Sequence, residues 1–173
     1  MLQKCTRAQA GLTPRVAAVL GGQWGDEGKG KLADVLAKNY DIVGRFNGGA
    51  NAGHTVIANG KKYAFHLLPC GLIYPHTTNI LGNGTVISLK DMFEELEPLD
   101  QDGLEWKGRL LISDRAHLLF ESHKAVDGYQ EDSRGDANIG TTKKGIGPCY
   151  TSKATRNGIR VGMLKHWDVF EKQ

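Results

Sequence analysis

Apolar and polar positions in the first third of the chain alternate in blocks that predict a strand, a loop, a helix and a second strand. Residues 16–20 form a short apolar run, typical of a strand buried on both faces of a parallel sheet. The apolar residues that follow recur at helical spacing and predict a helix over 30–39, and 42–46 predicts the next strand. This order is that of the βαβ unit of a nucleotide-binding sheet.

The middle of the chain continues the alternation. Asn59-Gly60, between two short apolar-rich runs, predicts a β-hairpin. Residues 79–81 predict a strand that ends in a turn at 82–84, and Ser88 predicts the N-cap of a helix that ends at Pro98. Further elements are indicated by a strand pattern at 109–113 and mixed helical character at 117–129. We therefore predict an α/β fold, with a mostly parallel sheet, flanking helices, a P-loop-like nucleotide-binding core and a β-hairpin insertion.

The two ends of the chain differ from this pattern. Residues 1–15 carry basic side chains and no acid and lack the apolar core of a secretory signal, which predicts a disordered leader; an organelle transit segment is the weaker alternative. Residues 16–173 then form part of a single domain. A helical pattern that opens at Met163 is cut off at Gln173, so we expect a chain truncated at its C-terminus.

Composition narrows the classes of partner. Of the 173 residues, 40% are apolar and 24% are charged, which is ordinary for a soluble globular domain. Every apolar run is far shorter than the roughly 18 residues of a membrane span, so no membrane is expected. The net charge of +3 is small and local and does not require a nucleic-acid partner. Three separated cysteines predict free thiols in a reducing compartment, and we expect a cytoplasmic protein.

The first glycine-rich segment, at 21–31, has the composition of a phosphate-binding loop. Its spacing fits G-x-x-x-x-G-K, but Leu32 stands where a P-loop needs Ser or Thr to hold magnesium. Asp26 or Glu27 could ligate a nucleotide-borne metal instead, and Asp26 could also act as a general base or merely cap the helix. An ordinary P-loop GTPase or kinase is disfavoured by Leu32 and by the lack of an Asn-Lys-x-Asp motif.

Two more glycine-rich segments carry polar side chains suited to phosphate. In the second, at 47–55, Asn51 can donate and accept hydrogen bonds, Gly53 exposes its carbonyl group, and His54 can donate to a developing negative charge or act as an acid. The third, at 139–148, joins two threonines and two lysines to glycine amides and suits a phosphate, with a solvated basic turn as the alternative. The remaining histidines lack a glycine setting and are interpreted as surface or core residues: His66, His76, His117, His123 and His166.

Together, the motifs at 23–31, 51–55 and 140–148 resemble adenylosuccinate synthetase, the purine enzyme that joins IMP to L-aspartate at the expense of GTP. The resemblance extends from about residue 16 to about residue 164. It implies the N-terminal portion of a GTP-dependent ligase of AMP biosynthesis that releases GDP and phosphate. The family's aspartate-binding and guanine-recognising segments lie beyond residue 173, so a truncated, non-catalytic nucleotide-binding or dimerising fragment is the alternative.

The resemblance also implies a role for each matched residue. Asp26 resembles the base that removes the N1 proton of IMP, and also a ligand of Mg²⁺, with the carbonyl group of Gly53 as the second protein ligand. His54 resembles the acid that contacts the phosphates, and Lys29 would neutralise the phosphoryl group placed on O6. The amino group of aspartate then displaces phosphate from the resulting 6-phosphoryl-IMP.

Nucleotide contacts follow from the same resemblance. The implied GTP-binding residues are Gly25, Asp26, Glu27, Gly28, Lys29, Gly30, Lys31, Gly53, His54 and Thr55. The implied IMP-binding residues are Asp26, Glu27, Gly28, Lys29, Asn51, Ala52, Gly53, His54, Thr142 and Arg156. Of these, Asn51 and Thr142 match positions that hold the 5′-phosphate of IMP. Arg156 matches an arginine that reaches the IMP of the neighbouring subunit, which implies a homodimer.

Overall fold

The helices and strands are those of a computed structural model, which describes residues 15–23, 27–51, 53–58, 60–135 and 139–173. The strands are β1 (Ile42–Gly48), β2 (His54–Ala58), β3 (Lys61–Phe65), β4 (Thr78–Ile87), β5 (Leu110–Ile112) and β6 (His117–Leu118). The α-helices are α1 (Lys29–Ala37), α2 (Leu89–Gln101), α3 (Glu121–Asp132), α4 (Ile146–Ala154) and α5 (Trp167–Phe170). Two 3₁₀ helices cover Cys70–Ile73 and Val161–Lys165.

The sheet is built around β4, which pairs in parallel with β1, β5 and β6. Gly44 of β1 lies opposite Ile80 of β4, and Ile80 lies opposite Leu111 of β5. Strands β2 and β3 form a separate antiparallel hairpin. The parallel sheet, the helices and the inserted hairpin confirm the predicted α/β fold.

One face of the sheet carries the main core. Leu81 of β4 is fully buried there, together with Leu72 of the first 3₁₀ helix and Leu96 and Leu99 of α2. The opposite face is open, because Ile42, Phe46 and Leu111 are 61%, 55% and 49% exposed. The helix predicted over 30–39 is observed as α1 and the strand predicted over 42–46 as β1, and helix α1 buries Ala37 on the core side.

The predicted first strand is wrong. Residues 16–20 belong to no strand, and Val16 and Leu20 are 86% and 70% exposed. An apolar run becomes a buried strand only where a sheet edge pairs with it and neighbouring layers cover it. No strand pairs with 16–20 within the ranges that the structure describes.

The predicted turn at 82–84 is also wrong, because β4 runs straight through these residues to Ile87. A Cβ atom at Gly82 would lie 3.1 Å from the carbonyl oxygen of Arg45, and one at Gly84 would overlap the carbonyl oxygen of Phe46. These glycines therefore permit close approach of two strands rather than a reversal of the chain.

Helix α2 begins as predicted and ends later than predicted. The Ser88 hydroxyl caps it by accepting from the Asp91 amide at 3.3 Å. The helix continues through Pro98 to Gln101, because Leu99 is fully buried and the Pro98 carbonyl accepts from the Asp102 amide.

Two other expectations concern the whole chain. Cys70 and Cys149 are buried free thiols, as predicted, whereas Cys5 and the rest of the predicted leader up to residue 14 lie outside the described residues. Among the described helices, none combines the length and apolar character needed to cross a membrane.

Candidate functional site

The first and second glycine-rich segments meet where α1 begins. Gly30, in the first turn of α1, packs so closely on the start of β2 that an added Cβ atom would lie 2.7 Å from the Cβ of His54. The N-terminus of α1 presents backbone N–H groups and the positive end of the helix dipole, which favour an anion. The structure therefore brings the predicted residues Lys29, Gly30 and His54 to one place.

His54 is the half-buried imidazole of this site. Its Nε2 atom is buried without a hydrogen-bond partner among the described residues. Burial lowers the pKa of His54, and the positive charge of Arg45 lowers it further. Both effects favour the neutral ring, and its Nε2 atom is a buried polar atom that no described residue contacts by a hydrogen bond.

The first segment is only partly described, since Gly25 and Asp26 lie outside the described residues. Gly28 adopts the left-handed conformation at φ 79° and begins α1 as its N-cap. Lys29 forms an ion pair with Glu27, which also accepts from the Gln23 amide at 2.8 Å. Lys29, followed by the Gln23 amide, holds the pKa of Glu27 below its ordinary value.

The second segment begins in the last two residues of β1 and continues into the start of β2. The Asn51 side chain accepts from the Gly49 amide at 3.3 Å. Gly53 lies against the ring of His66, to which the sequence assigned no role, since an added Cβ atom would lie 2.8 Å from its Cδ2. Thr55 pairs with Ala64 in the hairpin and is exposed, while Ala52 lies outside the described residues.

The third segment is held by acids of α3. The carboxylate of Glu131 accepts from the amides of Gly140 and Thr141, the latter at 3.1 Å, and Asp127 accepts from the Gly145 amide at 2.8 Å. Thr142, the predicted phosphate contact, is exposed. Buried carboxylates thus orient the backbone next to it.

Helix α4 joins the second and third segments. A Cβ atom at Gly49 would lie 2.6 Å from the Cδ1 of Ile146, so this glycine permits the close contact. The Tyr150 hydroxyl accepts from the Gly48 amide at 2.8 Å and donates to the Gly84 carbonyl at 2.7 Å. All three glycine-rich segments therefore belong to one contiguous region.

The Arg156 side chain does not take part in the contacts that join the three segments. It is exposed, with φ 64°, and lines a surface cleft with His117, Lys153 and Arg160. Among the described residues, no hydrogen bond or ion pair joins its side chain to the three segments.

A protein cage for a metal ion is not found in the described part of the chain, where no three His, Cys, Asp or Glu side chains come together. Mg²⁺ is commonly bound by one or two protein oxygens together with substrate phosphates and water, so a carbonyl such as that of Gly53 needs few protein partners.

Four residues that position these segments were not identified from the sequence: Arg45, Asp127, Glu131 and Tyr150. Arg45 had a detectable signal, because it is the one charged residue within the apolar run at 42–46. Asp127, Glu131 and Tyr150 interact with residues 9 to 102 positions away along the chain, which no local sequence pattern records.

Comparison with known proteins adds an independent line of argument. Residues 18–173 match the family described as adenylosuccinate synthetase. The adenylosuccinate synthetase of Phaeodactylum tricornutum is 57% identical over 155 residues, which are 90% of this chain and 30% of that protein. A chloroplastic adenylosuccinate synthetase of Sorghum bicolor is 55% identical, with 90% and 32% covered.

Solved structures give the same result. The fully ligated adenylosuccinate synthetase of Plasmodium falciparum superposes with a TM-score of 0.82 at 51% identity, covering 92% of this chain and 37% of that one. A cyanophage S-2L succinoaminodeoxyadenylate synthetase, bound to dGMP and to dATP as an energy donor, gives 0.59 at 26% identity, with 81% and 39% covered. The chain spans about a third of the length of these relatives.

Proposed function

The chain belongs to the adenylosuccinate synthetase family, a family of purine-biosynthetic ligases, and from this premise we propose that it carries the IMP-activating part of a GTP-dependent synthetase. The complete reaction would join IMP and L-aspartate and release GDP and phosphate. The observation that supports this most is the meeting of the α1 N-terminus with His54, because it places a neutral imidazole beside backbone groups that favour phosphate.

In this proposal Asp26 takes the N1 proton of IMP, which makes O6 the nucleophile. A bond then forms between O6 and the γ-phosphorus of GTP, while the bond from that phosphorus to the GDP oxygen breaks. His54 donates a hydrogen bond to the phosphate oxygens that gain charge. The amino group of aspartate finally bonds to C6, loses a proton, and displaces the O6 oxygen with its phosphoryl group as inorganic phosphate.

Lys29 would leave Glu27 in order to face the phosphoryl group. The Lys29 side chain is 43% exposed, so its ion pair with Glu27 is a weak, solvent-screened surface pair that opens readily. Lys29 can therefore break its ion pair with Glu27 and move toward a phosphoryl group bound at this loop.

Asp26 and the carbonyl group of Gly53 would hold Mg²⁺. When bound, the ion neutralises the charge of the nucleotide phosphates and polarises the phosphoryl oxygen. In the part of the chain that the structure describes, no three His, Cys, Asp or Glu side chains come together, so the nucleotide itself would complete the coordination.

Homodimer formation through Arg156 belongs to the same proposal. Arg156 is exposed, with a left-handed backbone conformation that is uncommon for a residue with a side chain, and among the described residues no hydrogen bond or ion pair joins its side chain to the three segments. Such a residue is suited to reach the IMP of a second subunit. We place the assembled protein in the cytoplasm or, as for the chloroplastic relatives, in an organelle of similar redox state.

A second function is a binding or dimerising piece without catalysis, and the observation that favours it is the chain's span of about a third of its relatives. Titration of the 173-residue chain with IMP and with GTP, followed by an assay for adenylosuccinate, separates the two functions. Binding of IMP without product is the result expected of a binding piece, whereas product formation requires the catalytic function in this chain.

The catalytic assignment is tested in a full-length family protein that contains this segment. Asp26→Asn should lower the rate of adenylosuccinate formation by roughly 10²- to 10⁴-fold, the usual contribution of a general base. Asp41→Asn, on the exposed residue before β1, is the matched control and should leave the rate unchanged. Substantial turnover by the Asp26 variant would exclude it as the base.

A further inference from the structure

Arg45 is a charged residue inside β1, and three of the four carbonyl groups that it contacts lie outside that strand. Its guanidinium group donates to the carbonyl oxygens of Asn47 at 3.1 Å, Gly49 at 2.5 Å and Leu67 at 3.1 Å, and also to that of His66. Burial lowers its pKa, although not enough to discharge a guanidinium group. Four of its five N–H groups are thus used by backbone carbonyls.

These carbonyls lie at the two ends of one excursion of the chain. The chain leaves the sheet after Gly48, carries Asn51, Gly53 and the hairpin, and returns at His66 and Leu67. Because Arg45 contacts both the departing and the returning backbone, a single side chain closes the base of the excursion. Only arginine has enough N–H groups in a planar fork to do this.

The returning backbone at His66 and Leu67 is also held by a residue of α2. The Glu95 carboxylate of α2 accepts from the Leu67 amide at 2.9 Å and from the Leu68 amide at 3.0 Å. The returning backbone is therefore fixed by both Glu95 and Arg45. Because Arg45 also contacts the Gly49 carbonyl, it fixes Gly49 relative to this returning backbone. Through Gly49 it sets the position of Asn51 and of the backbone that leads to His54.

We propose that Arg45 is a positioning residue for the candidate site, which sets the distance from Asn51 and His54 to the N-terminus of α1. The proposal rests on the proposed function, because it gives the second glycine-rich segment a role in binding the 5′-phosphate of IMP. Arg45 itself does not contact the nucleotide, since its donors are occupied by carbonyl groups.

The chain contains a matched control for this arrangement. Arg109, just before β5, donates to the carbonyl oxygens of Leu72 at 3.0 Å and Tyr74 at 2.9 Å, and to those of Thr77 and Glu105. It uses the same chemistry as Arg45 at the opposite, amino-terminal edge of the parallel sheet. Loss of Arg109 should therefore affect stability in a similar way without affecting the site.

The experiment compares Arg45→Lys with Arg109→Lys in the 173-residue chain. Both variants should melt at lower temperature, by about 5 °C each. Arg45→Lys should weaken IMP binding by about tenfold or more, measured by calorimetry, and should shift the ³¹P resonance of bound IMP. Arg109→Lys should bind IMP within about twofold of the parent chain and leave the resonance unchanged. Equal effects of the two substitutions on IMP binding would overturn the proposal.

A second readout needs no nucleotide. Amide hydrogen exchange at residues 50–55 should be about tenfold faster in Arg45→Lys and unchanged in Arg109→Lys. Unchanged exchange in Arg45→Lys overturns the positioning role. A parent chain that binds no IMP contradicts the proposed function instead, and the exchange result then decides on Arg45 alone.

Arg45→Gln is the second variant in case Arg45→Lys does not fold. It keeps amide donors directed at the carbonyls and should show the same local increase in exchange. If neither Arg45 variant folds while Arg109→Lys does, Arg45 is required by the fold as a whole and the proposal fails.

Discussion

At both the amino-terminal and the carboxyl-terminal edge of the parallel sheet, an arginine donates hydrogen bonds to backbone carbonyl groups. The two edges differ in the backbone segment that the arginine fixes. At the amino-terminal edge, Arg109 fixes a short turn that also makes its own hydrogen bonds, as where the Thr77 hydroxyl donates to the Tyr74 carbonyl at 3.0 Å. At the carboxyl-terminal edge, Arg45 fixes a long glycine-rich excursion.

The amide groups of the glycine-rich segments depend on side chains from distant parts of the chain. Gly48 donates to Tyr150, Gly145 to Asp127, and Gly140 to Glu131, each across a helix or a loop. A glycine-rich segment has a large conformational entropy to lose, so one orientation persists only where such contacts impose it. The comparison shows that the same arginine chemistry serves a turn at one edge and a candidate ligand site at the other.

The largest effect is expected where the two strands at the carboxyl-terminal edge approach most closely. Gly84→Ala places a Cβ atom on the carbonyl oxygen of Phe46, and backbone cannot yield without separating β1 from β4. We expect a loss of about 3 kcal/mol in the free energy of unfolding, measured with urea.

Gly44→Ala is the matched control, because an added Cβ at this glycine of β1 meets no atom within 4 Å. Its free energy of unfolding should stay within about 1 kcal/mol of the parent chain. Equal losses for the two substitutions would show that close strand approach is not what Gly84 provides.

The next effect concerns the hydroxyl group that links the second segment to β4. Tyr150→Phe leaves the Gly48 amide and the Gly84 carbonyl without their partner in the partly buried interior. The expected loss is about 1–2 kcal/mol in the free energy of unfolding. Tyr129→Phe, on a side chain that is 77% exposed, should change it by less than about 0.5 kcal/mol. A Tyr150 variant as stable as the Tyr129 variant would refute the link.

The sequence predicts a feature of this fold where neighbouring residues determine it, and fails where a contact between distant parts of the chain determines it. Helix α1, strand β1 and the Ser88 cap were predicted, because spacing and capping are properties of neighbouring residues. Gly82 and Gly84 were misread as a turn, since their reason is the approach of β1, which lies about 40 residues earlier. The glycine-rich segments were found from composition, but Arg45, Glu131 and Tyr150 act across the fold and escaped it.

A smaller effect is expected at the third segment. Glu131→Gln keeps the shape of the side chain but removes the charge that the amides of Gly140 and Thr141 contact. IMP binding should weaken by about fivefold in calorimetry, because the backbone beside Thr142 loses a strong acceptor. Glu121→Gln, which removes a 69% exposed carboxylate of the same helix that pairs with Lys124 outside the segment, is the control and should bind IMP as the parent chain does. An equal loss of IMP affinity in both variants would show that the effect comes from the change in net charge and not from the contacts of Glu131.

The smallest effect is the dependence of the third segment on pH. Burial of Glu131 opposes its ionisation, but the amides of Gly140 and Thr141, together with Arg134, outweigh burial and lower its pKa below 4.5. The stability that Glu131 contributes is therefore fully present above its ordinary pKa and is lost as the pH falls through the lowered value. The difference in urea midpoint between the parent chain and Glu131→Gln should be constant from pH 7 to about pH 5 and shrink in stronger acid. A difference that grows below pH 4.5 would mean that the carboxylate is not the form that holds this segment.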